Sequence, residues 1–419
     1  MFLLYAVIFI DIDPNSSAAH IGDRHVDLIR NRYSSAFVLD LPMLEQTNLG
    51  PCSATPIPIT VGDETVTARC FRLAAHPDQP FSLMVDADSP DEMTQRILAQ
   101  RYTFPRAYSL LHEVAAPGAR VLDLGAHIGT FTLYAAAAGF VVTAVEANPL
   151  NVALLQASLA ENGFTHAQVA HTAISDQRGS LNFLPSGPYG LVANPYIGGP
   201  MITVRAETVD ALLTDIGWPG VDFIKLDVEG SEVKAVRGMA GLLARTDAPA
   251  ILLESNGHTL HLFGESTANL MSTLAGFGYR CHLVQDGTLT PVRAGDLQAG
   301  CNVDYLAFKR PPAQWRNWRV TPPLSYNAQV EALMRESQAA HPHERAYVAR
   351  TLAGGSRFLL GDRRVQQVLH ALQQDQDADV RAATAWWNAA RARAWPAWAY
   401  QARRMWEAAW ARLAGWKPG

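Results

Sequence analysis

No stretch of the 419-residue chain stays apolar for the ~20 residues that a membrane-spanning helix needs. The most apolar run, Met1 to Ile10, stops at Asp11 and has no basic flank of the signal-peptide kind, so it reads either as a buried strand or as an extension upstream of the native start. Positive charge is also in short supply. With 34 Lys and Arg against 39 Asp and Glu, the net charge of -5 excludes the broadly basic surface that favours nucleic acid, and no nucleic-acid partner is expected. Cysteine is scarce: Cys52, Cys70, Cys281 and Cys301 are widely spaced, with no C-x-x-C pair and no metal-ligand rhythm, and are expected as reduced thiols of a cytoplasmic protein. Internal repeats and low-complexity tracts are missing as well. What remains, 48% hydrophobic and 17% charged, is the composition of a globular enzyme long enough for two or three domains.

Within it, Val121-Leu-Asp-Leu-Gly-Ala-His-Ile-Gly129 runs apolar into a glycine-punctuated turn. Arg120 to Leu124 reads as a strand, Thr130 to Ala138 as the helix that carries the chain back, and Phe140 to Val145 as the second strand. Gly125 and Gly129 allow the backbone to approach a ligand closely. Glu146 then falls at the carboxyl end of the second strand, in the crevice where open α/β sheets bind ligands, and a carboxylate there can accept both hydroxyl hydrogens of a ribose. A G-x-G-x-x-G fingerprint would need glycine at 127, where His127 stands. The pattern therefore disfavours a pyrophosphate, and nicotinamide chemistry with it, and favours a ribose carrying a small zwitterionic tail.

Asp123-x-Gly125-x-x-x-Gly129 followed by Glu146 resembles motif I and the acidic loop of class I methyltransferases that use S-adenosylmethionine. Val221-Asp-Phe-Ile-Lys-Leu-Asp-Val-Glu-Gly-Ser-Glu-Val-Lys-Ala-Val-Arg-Gly238 resembles the hallmark of the FkbM methyltransferase family, an I-K-[IL]-D-x-E-G-x-E segment before a helix ending in glycine. Ala173-Ile-Ser-Asp176, Thr208-Val-Asp-Ala-Leu212, Ile251-Leu-Leu-Glu254 and Val303-Asp-Tyr-Leu-Ala-Phe308 follow in the family's order, so the resemblance spans roughly residues 95 to 310. It implies an α/β fold, a class I methyltransferase Rossmann-like seven-stranded sheet with Val303 to Phe308 as its late antiparallel strand. It also implies S-adenosylmethionine as cofactor and, since family members methylate hydroxyls of polyketides and sugars, O-methylation of a glycan or small metabolite. An N- or carboxyl-methyltransferase, or a cofactor-binding scaffold without turnover, are the alternatives.

Three regions divide the chain: a β-rich N-terminal module or lid over 1–95, the methyltransferase domain over 96–312, and a helical C-terminal extension over 324–419. Thr60 to Val66 reads as a hairpin around Gly62-Asp63, and Met93 to Val114 as helical. Pro311-Pro312 and Pro322-Pro323 stop any helix from running through the linker. Seven of the ten tryptophans lie between Trp386 and Trp416, and the segment from Asp379 to Lys417 holds seven Lys or Arg against two acids. After Pro396, Trp398, Met405, Trp406, Trp410 and Leu413 share one helical face, with Arg403, Arg404 and Glu407 opposite. Two readings stay open: a helical hairpin packed on the core or on a second subunit of a homo-oligomer, or an interfacial helix making peripheral membrane contact.

Methyl transfer from a sulfonium is an in-line displacement, so positioning does most of the work. On the cofactor side the candidates are Asp123, Gly125, Ala126, His127, Gly129, Glu146, Ala147, Ser175 and Asp176. Gly125 and its neighbouring amides would meet the methionine carboxylate, Asp123 would hold the loop or the amino group, and Glu146 the ribose. By resemblance, Ala173 to Asp176 would lie near the adenine. On the acceptor side Asp227 and Glu229 end their strand facing the transferred methyl, as base, orienting group or cation ligand, with His258 as a candidate general base or a plain surface histidine. Asp227, Glu254 and Asn256 resemble the Mg²⁺ site of metal-dependent O-methyltransferases, where the ion chelates the substrate and lowers its hydroxyl pKa. Lys225 suits a buried salt bridge to Asp227 or Glu254 as well as chemistry. Tyr189 and Tyr196, in a glycine-rich insert, line the acceptor pocket or a surface loop.

Overall fold

Alternation along the strands, which sends successive side chains to opposite faces, sets where everything else packs. The computed structural model describes residues 48–52, 55–75, 79–185, 190–193, 199–293, 296, 300–353 and 362–384. An antiparallel sheet comes first: β1 (Asn48–Pro51), β2 (Ile57–Val61), β3 (Glu64–Ala74) and β4 (Pro80–Asp86), with β2 and β3 joined at Gly62-Asp63. The large sheet starts with β5 (Arg120–Leu124), β6 (Val141–Glu146) and β7 (Ala167–His171). A separate four-stranded sheet follows, made of β8 (Ala173–Ile174), β9 (Gly179–Leu184), β10 (Leu191–Val192) and β11 (Ile202–Glu207). The large sheet then resumes with β12 (Phe223–Leu226), β13 (Ala250–Asn256), β14 (Arg280–Gln285), β15 (Thr288–Val292), β16 (Asn302–Phe308) and β17 (Arg319–Val320).

Its strand order is β17-β15-β14-β16-β13-β12-β5-β6-β7, parallel from β7 to β13, with β16 antiparallel to both β13 and β14. The expected late antiparallel strand is therefore present, but the sheet has nine strands where seven were expected. The extra two extend the β14 edge. Asp286 and Gly287, both with positive φ (47° and 75°), turn β14 into β15, as a two-residue hairpin requires. Between the two proline pairs no helix forms: the chain bends at 316–317, where both amides donate to the Glu113 carboxylate, and Arg319–Val320 pairs with β15.

The chain runs outward from β5 to β7 and then returns to the other side of β5 at β12, so the order reverses between β5 and β12. Ligands bind beyond the carboxyl ends of strands at such a point. Leu122, Leu124, Ile224, Leu226, Ile251 and Leu253 pack one face of the sheet, with Val233, Val236 and Leu243 from the helices following β12. Val121, Phe223, Leu252 and Leu306 pack the other, together with Phe131, Leu155 and the N-terminal sheet's Phe71, Phe81 and Leu83. That N-terminal sheet is tied on by Asn162, which accepts from Ser82 N and donates to Ser82 O, both at 2.7 Å, and by Ser158 Oγ, which accepts from Met84 N at 2.9 Å.

Two expectations are corrected. Cys52 and Cys70, expected as thiols, form a disulfide with a Cα–Cα distance of 5.3 Å, because β1 pairs alongside β3; Cys281 and Cys301 are free and buried. The helical stretch over Met93 to Val114 is broken into helix Glu92–Leu98 and a short turn-and-helix at 106–114, with Pro105 between them. Beyond the sheet, helices Tyr326–Glu336, Pro342–Ala353, Arg363–Leu372 and Ala378–Ala383 share a small core of their own, which includes Cys301. The Met1–Ile10 run, Tyr189, Tyr196 and the Trp-rich segment from Trp386 lie outside the described residues. No helix among the described residues is long and apolar enough to cross a membrane.

Candidate active site

Asp123 and Lys225 face each other in register on β5 and β12, on the face otherwise filled by Val121 and Phe223. Glu254 and Asp304 do the same on β13 and β16. Alternation thus puts a polar row on one face of an apolar sheet, at its carboxyl end. Lys225 Nζ donates to Asp227 Oδ2 at 2.8 Å and stands 3.9 Å from Asp123 Oδ1; of its two expected partners, Asp227 is the one it meets. Asp123 is fully buried and accepts from Thr132 Oγ1 at 2.6 Å, fastening the helix that follows the glycine turn. Burial raises the Asp123 carboxyl above its usual range against the opposing pull of Lys225.

The turn itself owes its shape to glycine. Gly125 has φ +82°, and a Cβ there would lie 1.7 Å from Asp227 O, so the two loops cross in direct backbone contact. Gly129, at φ +95°, would meet the Leu155 side chain at 2.2 Å. The amides of Gly125 and Ala126 both donate to Val145 O at 3.0 Å, which commits them to the sheet rather than to a ligand's carboxylate as expected. His127, with left-handed φ of 52°, gives its amide to Glu146 Oε2 at 2.8 Å and lines the cleft; burial pushes its imidazole down to about 4, so it is neutral. Its Nδ1 has no hydrogen-bond partner among the described residues. Glu146 Oε1 accepts from Asn148 N at 2.8 Å and Asn151 Nδ2 at 3.4 Å. Oε1 thus has two donors and Oε2 one, which leaves Oε2 a second lone pair in a residue that lines the cleft.

That cleft runs from Gly125, His127 and Glu146 past Ala147 and Ala173 to Asp227 and Glu229. Ser175 and Asp176 do not line it. Ser175 donates its amide to Glu207 O at 2.8 Å and its hydroxyl to Asp176 Oδ1 at 3.2 Å, and its carbonyl packs against Gly238, where a Cβ would come within 2.1 Å. Phe183 and Val192 of the second sheet stand at this end instead.

At the far end, carboxylate oxygens of Asp227, Glu229 and Glu254 all lie within 4.8 Å of one another. Burial alone would raise Asp227; Lys225 and a hydrogen bond donated by Glu254 outweigh it and hold the group below the usual carboxylate range. Burial and then the Asp227 and Glu229 charges push Glu254 well up, so it carries the shared proton. Burial, Asp227 and Glu232 likewise push up Glu229, whose φ of 49° is left-handed. Asn256 does not join them: its Oδ1 accepts from His258 N at 3.0 Å and Thr259 N at 3.3 Å as the cap of helix Gly257–Leu262, so Glu229 takes its place. His258 is not among the residues lining the cleft, and its ring lies 6.0 Å from that of His343 in the helical extension.

Three further groups belong to this end. Glu232 Oε1 accepts from Val228 N at 3.2 Å and Gly230 N at 3.1 Å, fixing the turn that carries Asp227 and Glu229. Asp304 is pushed up to about 6 by burial and by Asp227. Tyr108, whose hydroxyl lies 3.4 Å from Thr130 Oγ1, is raised to about 12 by burial against the pull of Lys225. Glu232 was visible as the last acid of the hallmark segment, and Asp304 lay within the Val303–Phe308 strand without being singled out; Tyr108 carried no signal beyond its residue type.

A doubly wound sheet with a glycine-turned cleft at its reversal point and an acid on the second strand defines an α/β enzyme for a ribose-bearing cofactor. Residues 123–281 match the methyltransferase FkbM domain family, and the chain is an S-adenosylmethionine-dependent methyltransferase carrying that domain. No curated protein matches. Among solved structures the chain is similar to a putative SAM-dependent methyltransferase from Streptococcus mutans (15% identity, 57% of this chain and 55% of that one, TM-score 0.33). It is also similar to a TehB-like SAM-dependent methyltransferase from Corynebacterium glutamicum (14%, 52% and 94%, 0.31) and to precorrin-6y C5,15-methyltransferase from Geobacter metallireducens (13%, 49% and 86%, 0.29). These likenesses are too distant to carry a substrate or a mechanism.

Proposed function

We propose that the protein moves a methyl group from S-adenosylmethionine to a hydroxyl oxygen of a glycan or small metabolite. The observation that carries this reading is the placement of Asp227, which lines the same cleft as Glu146 with the Lys225 ammonium 2.8 Å behind it. The cofactor supplies a methyl group activated on a sulfonium. The cleft suits it: Gly125 lines it where the two backbone loops cross, Glu146 offers a carboxylate to a ribose, and the acids gather beyond. Asp227 can accept the hydrogen bond of an acceptor hydroxyl and take its proton as the oxygen bonds to carbon. Glu254, pushed well above the usual carboxylate range by burial and by the Asp227 charge, leaves Asp227 as the ionised member of the pair. Resemblance to a family that methylates hydroxyls supports oxygen over nitrogen or carboxyl as the methylated atom.

Labelled methyl transfer to panels of polyols, amines and carboxylic acids tests the reading. Label in alkali-stable ether linkages, with Asp227→Asn slowed by about 10²–10⁴-fold, is the expected result; label released by mild alkali as an ester, or found on nitrogen, overturns it. The all-oxygen set of Asp227, Glu229 and Glu254 supports a second element, a hard divalent cation such as Mg²⁺ that would lower the hydroxyl pKa. Loss of less than about twofold activity in excess chelator retires that element and leaves the first standing.

A further inference from the structure

We propose that the helical extension is a working part of the acceptor end: Tyr347, seated on Gly257, and Glu336, bound to the Cys301 amide, are positioning residues for Glu254, Asp304 and Glu229. The inference rests on the reading above that the acceptor is met beside Asp227. Tyr347 and Glu336 both lie outside the span that matches the methyltransferase domain. β13 and β16 pair with Glu254 opposite Asp304 and Asn256 opposite Asn302, and the pairing runs one step further, where Gly257 N donates to Cys301 O at 2.6 Å. The extension grips that last step on both strands. A Cβ on Gly257 would lie 2.4 Å from two carbons of the Tyr347 ring, which is 5% exposed, and Glu336 Oε1 accepts from Cys301 N at 2.6 Å.

Gly257 also opens the six-residue helix Gly257–Leu262, and this helix meets the turn that carries Glu229. A Cβ on Gly230 would lie 2.7 Å from Thr259 O and 2.6 Å from Phe263 Cδ2, so helix and turn approach with no room for a side chain. From the extension to the acids there are thus two glycine contacts, Tyr347 on Gly257 and Thr259 on Gly230, borne by one short helix. Close-packed contacts transmit a displacement rather than absorb it. The acids they hold stand within 4.8 Å of one another, and a misplacement of about 1 Å at a reacting centre costs on the order of 10²-fold in rate. Gly125, His127 and Glu146 follow β5 and β6, two and three strands away from β13, so the cofactor end is expected to be spared.

Steady-state methyl transfer by the full chain tests this, with the acceptor that takes label in the panels above. Tyr347→Leu is expected to lower kcat by about tenfold or more. KM for S-adenosylmethionine and the calorimetric affinity for S-adenosylhomocysteine are expected to stay within about twofold of wild type. Tyr347→Phe, which keeps the ring on Gly257, is expected to restore kcat. Gly257→Ala, which pushes against the ring from the other side, is expected to act as Tyr347→Leu does and serves where that variant fails to fold. Unchanged kcat in folded Tyr347→Leu, or a loss of cofactor affinity as large as the loss of kcat, overturns the proposal. Label on an amine or a carboxylic acid overturns the hydroxyl reading alone, since the comparison of variants runs on any labelled acceptor. Absence of label from every member of the panels with wild-type protein overturns the acceptor reading, and with it this inference.

Discussion

Replacing Gly125 by alanine tests whether the glycine turn is a contact between two loops or only a flexible link. At φ +82° an added Cβ meets the left-handed penalty, about 1–2 kcal/mol for an L-residue. It also lies 1.7 Å from the Asp227 carbonyl oxygen, which is backbone and cannot rotate away. Forcing the loops apart is comparable to overpacking a core, a further ~1–3 kcal/mol. Gly163→Ala is the control. Gly163 has a similar φ of +64°, caps helix Pro149–Asn162, and has nothing within 4 Å of the added atom, so it carries the conformational penalty alone. Urea denaturation followed by circular dichroism should therefore show Gly125→Ala less stable than Gly163→Ala by about 1–3 kcal/mol. Only Gly125→Ala should also lose affinity for S-adenosylhomocysteine, because it shifts both His127 and Asp227. Equal stability of the two variants with full cofactor affinity in both would refute the reasoning.

Lys225→Met leaves Asp123 and Asp227 buried without their shared cation, an arrangement that costs about 3–5 kcal/mol when one member of a buried pair is removed. Its Asp227 should titrate higher, so the pH–rate profile should move to higher pH while Lys225→Arg recovers part of the difference; an unmoved profile would separate Lys225 from Asp227. Glu336 accepts from Cys301 N at 2.6 Å, and burial pushes its carboxyl from 4.5 to about 7. A raised carboxyl binds its proton more tightly folded than unfolded, so its contribution is fully present below about pH 4.5 and is lost as pH rises towards 7. Glu336→Gln should melt like wild type at pH 4.5 and be more stable at pH 8, on the order of 3 kcal/mol; parallel melting curves across that range would sink the idea.

The central strands were legible because period-two burial and glycine turns are local. Arg120–Leu124 came out as read, the second strand was shifted by one residue so that Glu146 closes it, and the order of the acids along the chain placed them at one end of the sheet. Partners were not legible, because they depend on register. Lys225 chose Asp227 and faces Asp123 only because β12 and β5 pair with those residues opposite. Asn256 looked like an oxygen ligand, yet a residue just before a helix has unsatisfied amides within reach and caps them first. Cys52 and Cys70 sit eighteen residues apart with no local signal, and their pairing follows from β1 lying beside β3. Phe183 lines the cleft and Ser175 and Asp176 do not, because β9 of the second sheet delivers the ring there, a placement that no local signal in the sequence carries.

Titration of the purified protein with S-adenosylhomocysteine, run beside Glu146→Ala, bears most directly on the account. Binding that the substitution weakens by tenfold or more, about 1.4 kcal/mol, is the predicted result. Well-folded wild-type protein that does not bind, or a Glu146→Ala variant that binds as tightly as wild type, would contradict it.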